Sequence, residues 1–134
     1  MQREVVFDFS CTWDVDQVNK LFGFGYFPSH HKESARFGWM YNIGNKKFTL
    51  SAYCYVNGHR IITNLCHVVA NRKYVCRIEK HAKYYTFSVI QKENGAELGR
   101  ISIPYEHNKK LGYKLGLYFG GKQPAPATMK IEIK

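Results

Sequence analysis

Between Lys47 and Val56 apolar and polar positions alternate strictly: Phe48, Leu50, Ala52, Cys54 and Val56 take every second place, with Lys47, Thr49, Ser51, Tyr53 and Tyr55 between them. Successive side chains of an extended chain point to opposite faces, so a period of two marks a strand with one apolar and one polar side. A helix would spread the same residues around its whole circumference. Asn57-Gly58 follows at once, and both residues tolerate the positive φ that a tight hairpin turn requires. The chain therefore returns along Arg60 to Val68 as the second arm of a hairpin.

The same pattern recurs along the chain. Glu4 to Phe9 is rich in β-formers, and from Ala35 to Ile43 the residues Arg36, Gly38, Met40 and Asn42 alternate with Phe37, Trp39, Tyr41 and Ile43 before a Gly44-Asn45 turn. Further extended runs are Lys73 to Lys80, Tyr84 to Gln91, Leu98 to Ile103, Leu111 to Phe119 and Met129 to Lys134. Asn94-Gly95 supplies another hairpin signal, and a Gly/Pro-rich loop covers Gly120 to Ala127. One helix is expected: Asp14 as its cap, Val15 to Phe22 as its body with Val15, Val18, Leu21 and Phe22 on one side, and Gly23 as its stop. Phe24 to Lys32 reads as an irregular loop. About nine short strands, mostly joined by hairpins, predict a single all-β domain over residues 1–134. The expected form is an antiparallel two-sheet sandwich of the jelly-roll or concanavalin-like kind, its first and last strands side by side.

A chain of 134 residues can bury a core without metal or disulfide staples. The aromatic fraction of 16% supports a β-rich interior and argues against disorder. Twenty Lys and Arg against ten Asp and Glu give a net charge of +10, which favours an anionic partner, although the charges are scattered rather than gathered in one run. Cys11, Cys54, Cys66 and Cys76 show no CxxC spacing, so free thiols are expected rather than zinc ligands. Neither a signal peptide nor a membrane span can be drawn, and a cytoplasmic location without membrane contact is expected.

Six histidines, His30, His31, His59, His67, His81 and His107, invite a catalytic reading, but no GxSxG elbow accompanies them. Two of them could serve as acid and base in a nuclease-type reaction; the reading preferred here is non-catalytic. Asp14 and Asp16 bracket the expected helix start and are explained by capping. No cofactor is implied. Gly120-Gly121-Lys122 lacks a following helix, yet backbone N–H groups beside Lys122 could accept an anion.

The most informative constellation is aromatic and basic residues interleaved on strands. Trp39, Tyr41, Tyr53 and Tyr55 offer rings that can stack on a base or sugar, and Arg36, Arg60 and Arg77 offer guanidinium groups that can fork onto phosphate or sulfate. With His30, His31 and Lys122 these form the candidate ligand-binding set. Core packing competes for Trp39, while Tyr53 and Tyr55 lie opposite the apolar stripe and are expected on an open or concave face.

Three stretches, SARFGWMY at Ser34 to Tyr41, YCYVNGHR at Tyr53 to Arg60 and LGYKLGLYFGGKQPAP at Leu111 to Pro126, resemble a group of small uncharacterised proteins from Bacteroidetes and their phages. The resemblance implies the concanavalin-like sandwich of lectins and laminin-type modules, without an activity, and in a phage setting a protein that sequesters a nucleotide or blocks a host component. The chain departs from the lectin pattern in lacking an acidic metal-binding cluster. The expected function is capture of an anionic small molecule or nucleic-acid phosphate. Alternatives are a carbohydrate-binding module and a protein-interaction or inhibitor domain, and edge strands leave a homo-oligomer open.

Overall fold

The computed structural model describes residues 1–12, 18–118 and 130–134. Ten strands form: β1 (Gln2–Phe7), β2 (Asn19–Tyr26), β3 (Ser34–Asn42), β4 (Lys47–Val56), β5 (His59–Val68), β6 (Tyr74–Lys80), β7 (Tyr84–Gln91), β8 (Glu97–Pro104), β9 (Gly112–Leu115) and β10 (Ile131–Ile133). They make two antiparallel five-stranded sheets, in the orders β10-β1-β6-β7-β8 and β5-β4-β3-β2-β9, packed as a sandwich. Within each sheet the central strands follow one another as hairpins, and β1 pairs with β10 in register Val5 to Ile133, which brings the two ends of the chain together as expected.

The apolar stripe of β4 faces inward. Phe48, Leu50, Ala52 and Cys54 are fully buried with Phe37 and Trp39 of β3, and they meet Phe7, Ile78, Tyr85, Phe87 and Val89 from the opposite sheet. Phe7 stacks on Phe48 at a ring separation of 4.5 Å and lies 5.1 Å from Trp39. Each such side chain removed from water contributes about 1.5–3 kcal/mol, so this aromatic seam is a main source of stability. The four cysteines are free thiols; burial pushes the Cys54 thiol up to about 12 and that of Cys66 to about 11.

The expected helix is the one clear departure. Residues 19–22 open strand β2 rather than closing a helix; Asp14, Val15 and Asp16 lie outside the described residues. The pairing of β2 with β3 slips between Lys20 and Gly23, so that Leu21 and Phe22, adjacent in sequence, are both buried. A β-bulge of this kind puts two successive apolar residues on one side, and that doublet imitates the i, i+1 pairing on a helix face. The tenth strand therefore joins residues 19–22 of the expected helix to the start of the expected loop. Among the described residues near the N-terminus the helical element is a 3₁₀ turn at Phe9–Cys11, where the Asp8 carboxylate accepts from the Ser10 N–H at 2.9 Å. The irregular loop is likewise shorter than expected: Phe24 to Tyr26 complete β2, and only residues 27–33 leave the sheet.

Candidate functional site

Two glycines of β2 shape the outward face of the β5-β4-β3-β2-β9 sheet. Gly23 of β2 lies opposite Arg36 of β3, and a Cβ there would fall 2.1 Å from the Ala35 carbonyl oxygen, so the two strands approach closely only with glycine. Gly25 plays a second part. A Cβ on it would sit 2.6 Å from His30 Cβ, so its absence lets the 27–33 loop fold back onto the sheet and seat His30. In register across the same face stand Arg36, Tyr53 and Ile62, and beside them Ser34, Tyr55 and Arg60.

These features enclose a hollow of about 340 Å³ walled by Lys20, His30, His31, Tyr55 and the segment Leu115 to Tyr118, with Arg36 and Tyr53 beneath. Lys20 and Tyr118 exchange backbone hydrogen bonds at 2.7 and 3.0 Å, and the Lys20 ammonium lies 4.6 Å from the Tyr53 ring centre and 5.5 Å from that of Tyr118. At the other end the His30 and His31 rings are 4.3 Å apart, His30 Nδ1 is 3.3 Å from the Tyr113 hydroxyl, and His31 meets the edge of Tyr55.

Arg36 is the decisive residue. It is only 8% exposed, its Nη2 donates to the Gly116 carbonyl at 3.1 Å, and its buried Nε has no hydrogen-bond partner. Among the described residues Arg36, Lys20 and Arg60 make no ion pair, and no carboxylate lines the hollow. A cation held out of water without a counter-charge is costly, and proteins ordinarily pair it. Its pKa is lowered by that burial, an effect that the Tyr53 and Tyr118 hydroxyls partly offset.

The surrounding groups respond to the same field. Burial works to raise the Tyr53 pKa, but hydrogen bonding with Tyr55 and Arg60 and the charges of Lys20 and Arg60 outweigh it, so the phenol is held below its ordinary value. Tyr55 moves up, through burial first and then through Tyr53. His30 is held below its usual value by burial, by His31 and by Arg36. The site thus has an excess of positive charge and donor groups.

Comparison with family models, curated proteins and solved structures returned no match. No enzyme family is attached to the chain by that route, so the site is read from its own geometry.

Of the ten residues singled out in the sequence, six converge here: His30, His31, Arg36, Tyr53 and Tyr55 line the hollow, and Arg60, paired across the strands with Tyr55, stands at its margin. Four do not. Trp39, 1% exposed, and Tyr41 face the core and pack on Phe48, because their parity on β3 is opposite to that of Arg36. Arg77 stands on the other sheet, where it donates to the Gln2 side chain at 2.8 Å and lies 3.7 Å from Glu79. Lys122 lies outside the described residues. His30 and His31 sit in a turn rather than a strand, which sets their rings side by side.

Lys20, Leu117 and Tyr118 were not singled out. Lys20 was hidden by the helix assignment, and the bridge between Lys20 and Tyr118 is a long-range pairing with no local sequence signal. A larger hollow of about 590 Å³ lies among Asn71, Arg72, Lys73, Gln91, Lys92 and Glu93, but there Arg72 is exposed and already paired with Glu93 at 2.9 Å. Among the described residues no group of three or more His, Cys, Asp or Glu side chains could hold a metal ion, and no helix is long and apolar enough to cross a membrane.

Proposed function

We propose that this protein is a non-catalytic receptor that captures a phosphate-bearing anion, a nucleotide or nucleic-acid phosphate, in the hollow over Arg36. The single observation that carries the reading is an arginine only 8% exposed, with a buried, unpartnered Nε and no carboxylate among the residues lining the hollow beside it. An incoming anion would supply the counter-charge that the fold omits, and charge-assisted hydrogen bonds of this kind are the strong ones. The resemblance to phage proteins extends the reading to sequestration of such a ligand. The carbohydrate alternative keeps Tyr55 as a stacking plate but loses Trp39, which lies in the core.

Calorimetric titration with inorganic pyrophosphate tests the proposal. Affinity is expected to fall steeply as salt is raised, and Arg60→Ala is expected to weaken binding by about 1–3 kcal/mol through loss of one charged donor. Retention at high salt with no effect of the substitution would count against anion capture and in favour of a neutral ligand such as a glycan.

Proton linkage gives a second check. His30 is depressed in the free protein by burial, His31 and Arg36, so an anion placed among these groups favours its charged form. The complex then binds more protons than its parts, and by linkage affinity rises as pH is lowered from 8 through the histidine range near about 6.5. Titrations in buffers of different ionisation enthalpy should report proton uptake, and His30→Gln should diminish it. A proton change on binding that His30→Gln leaves unmoved would contradict the arrangement described.

A further inference from the structure

Resting on that reading, we infer that the hollow is built for the terminal phosphate of a single free nucleotide, a nucleoside mono- or diphosphate, and not for an internal phosphate of a nucleic-acid strand. Three independent features point the same way.

The first is closure along the strands. Arg36 lies midway between two barriers on β3: at the level of Ser34 the loop bearing His30 and His31 is seated over Gly25, and at the level of Gly38 the Lys20 side chain, its strand held at the edge by pairing with Tyr118, reaches over the face to the Tyr53 ring. Each barrier is two residues from Arg36, about 7 Å at the rise of an extended chain. An internal phosphate carries ester links on two sides, and the chain leaving it in both directions needs a groove open at both ends. A terminal phosphate needs only one opening. The hollow, about 340 Å³, is at the small end of ligand sites, enough for one nucleotide.

The second is charge. Three fixed cations, Arg36, Lys20 and Arg60, stand at the site with no carboxylate among the lining residues. A terminal phosphate monoester carries about −1.5 to −2 near pH 7, whereas a diester carries one charge, so the monoester neutralises more of this excess.

The third is the wall opposite the cations. Leu117 and Tyr118 are half-exposed in a molecule that buries most of its large apolar side chains, and with Leu115 and the Tyr55 ring they form an apolar flank. A bare inorganic anion would leave this flank wet. A base or ribose attached to the phosphate would cover it, and stacking on such rings adds about 1–3 kcal/mol per base.

The experiment is a competition by calorimetry at low salt with three probes: the four common ribonucleoside 5′-diphosphates, inorganic pyrophosphate, and a single-stranded dodecamer lacking terminal phosphates. At least one nucleoside diphosphate is expected to bind about tenfold or more tightly than pyrophosphate, the gain of one stacked ring. The dodecamer should neither bind at the nucleotide's affinity nor displace it. Leu117→Ala should narrow the gap between nucleotide and pyrophosphate, which a loss of fold would not do selectively. Equal affinity for nucleotide and pyrophosphate would overturn the inference while leaving anion capture standing, as would a dodecamer that binds as tightly as the nucleotide and is released by salt. No binding of any of the three would overturn both.

Discussion

Arg36→Met is expected to raise the melting temperature of the unliganded protein while removing its affinity for phosphate. In the free protein the guanidinium is buried with no counter-ion, and its one identified hydrogen bond goes to the Gly116 carbonyl. Replacing such a group by an apolar side chain of similar length removes the desolvation penalty, and substitutions of buried charges by apolar residues have stabilised proteins by about 1–4 kcal/mol. The opposing loss is small, because Gly116 is exposed and its carbonyl can accept from water instead. The desolvation term wins, so a gain of about 1–3 kcal/mol, or several degrees, is expected for a chain of this size. Binding moves the other way: without the charge at the floor, the calorimetric signal for pyrophosphate should vanish. A paired measurement of thermal unfolding with and without pyrophosphate reads both signs at once. A lower melting temperature for the variant would show that the guanidinium is a structural member of the sheet, and the argument for an absent counter-ion would then lapse. A site that weakens the fold it sits in is the usual mark of selection for function over stability.

How much of this was legible in the chain depended on whether the signal was local. The alternation from Phe48 to Val56 and the Asn57-Gly58 turn fixed the β4–β5 hairpin, and both are seen, with Asn57 and Gly58 at positive φ. Parity alone also separated Leu50 and Cys54 from Tyr53 and Tyr55. It did not reveal that Tyr53, on the outward face, is nevertheless buried, because what covers it is Lys20, which reaches across from β2. On β3 the parity was equally informative: Phe37, Trp39 and Tyr41 share one face and Arg36, Gly38 and Met40 the other, so Trp39 belongs with the core and cannot share a site with Arg36, three places away. The helix failed for a stated reason: a bulge makes Leu21 and Phe22 both face inward, and period counting reads that doublet as helical. The bridge from Lys20 to Tyr118 and the seat of His30 over Gly25 arise only from tertiary packing.

The bulged strand supplies the second large effect. Gly23→Ala is expected to destabilise the protein by about 2–4 kcal/mol, roughly 10 °C, far more than one methyl group would suggest. A Cβ at this position would lie 2.1 Å from the Ala35 carbonyl oxygen, 2.6 Å from Arg36 Cα and 2.9 Å from Arg36 Cγ. Two of these three neighbours are backbone atoms of a strand paired on both sides, with β2 and with β4, so they cannot step aside without breaking ladder hydrogen bonds. Gly38→Ala is the informative contrast. There the nearest atom, at 2.5 Å, is a methyl carbon of the Val18 side chain, which can turn away, so a smaller loss is expected. Gly44, with nothing within 4 Å, should tolerate alanine within about 0.5 kcal/mol. Because the Gly23 methyl also presses on the side chain of Arg36, nucleotide affinity should fall with it, whereas Gly44→Ala should leave affinity intact. Chemical denaturation of the three variants orders them as Gly23, Gly38, Gly44 from most to least destabilised. A Gly23→Ala protein within about 0.5 kcal/mol of the parent would mean that β2 and β3 are not pressed together beside Arg36, and the close approach that positions its side chain would be lost.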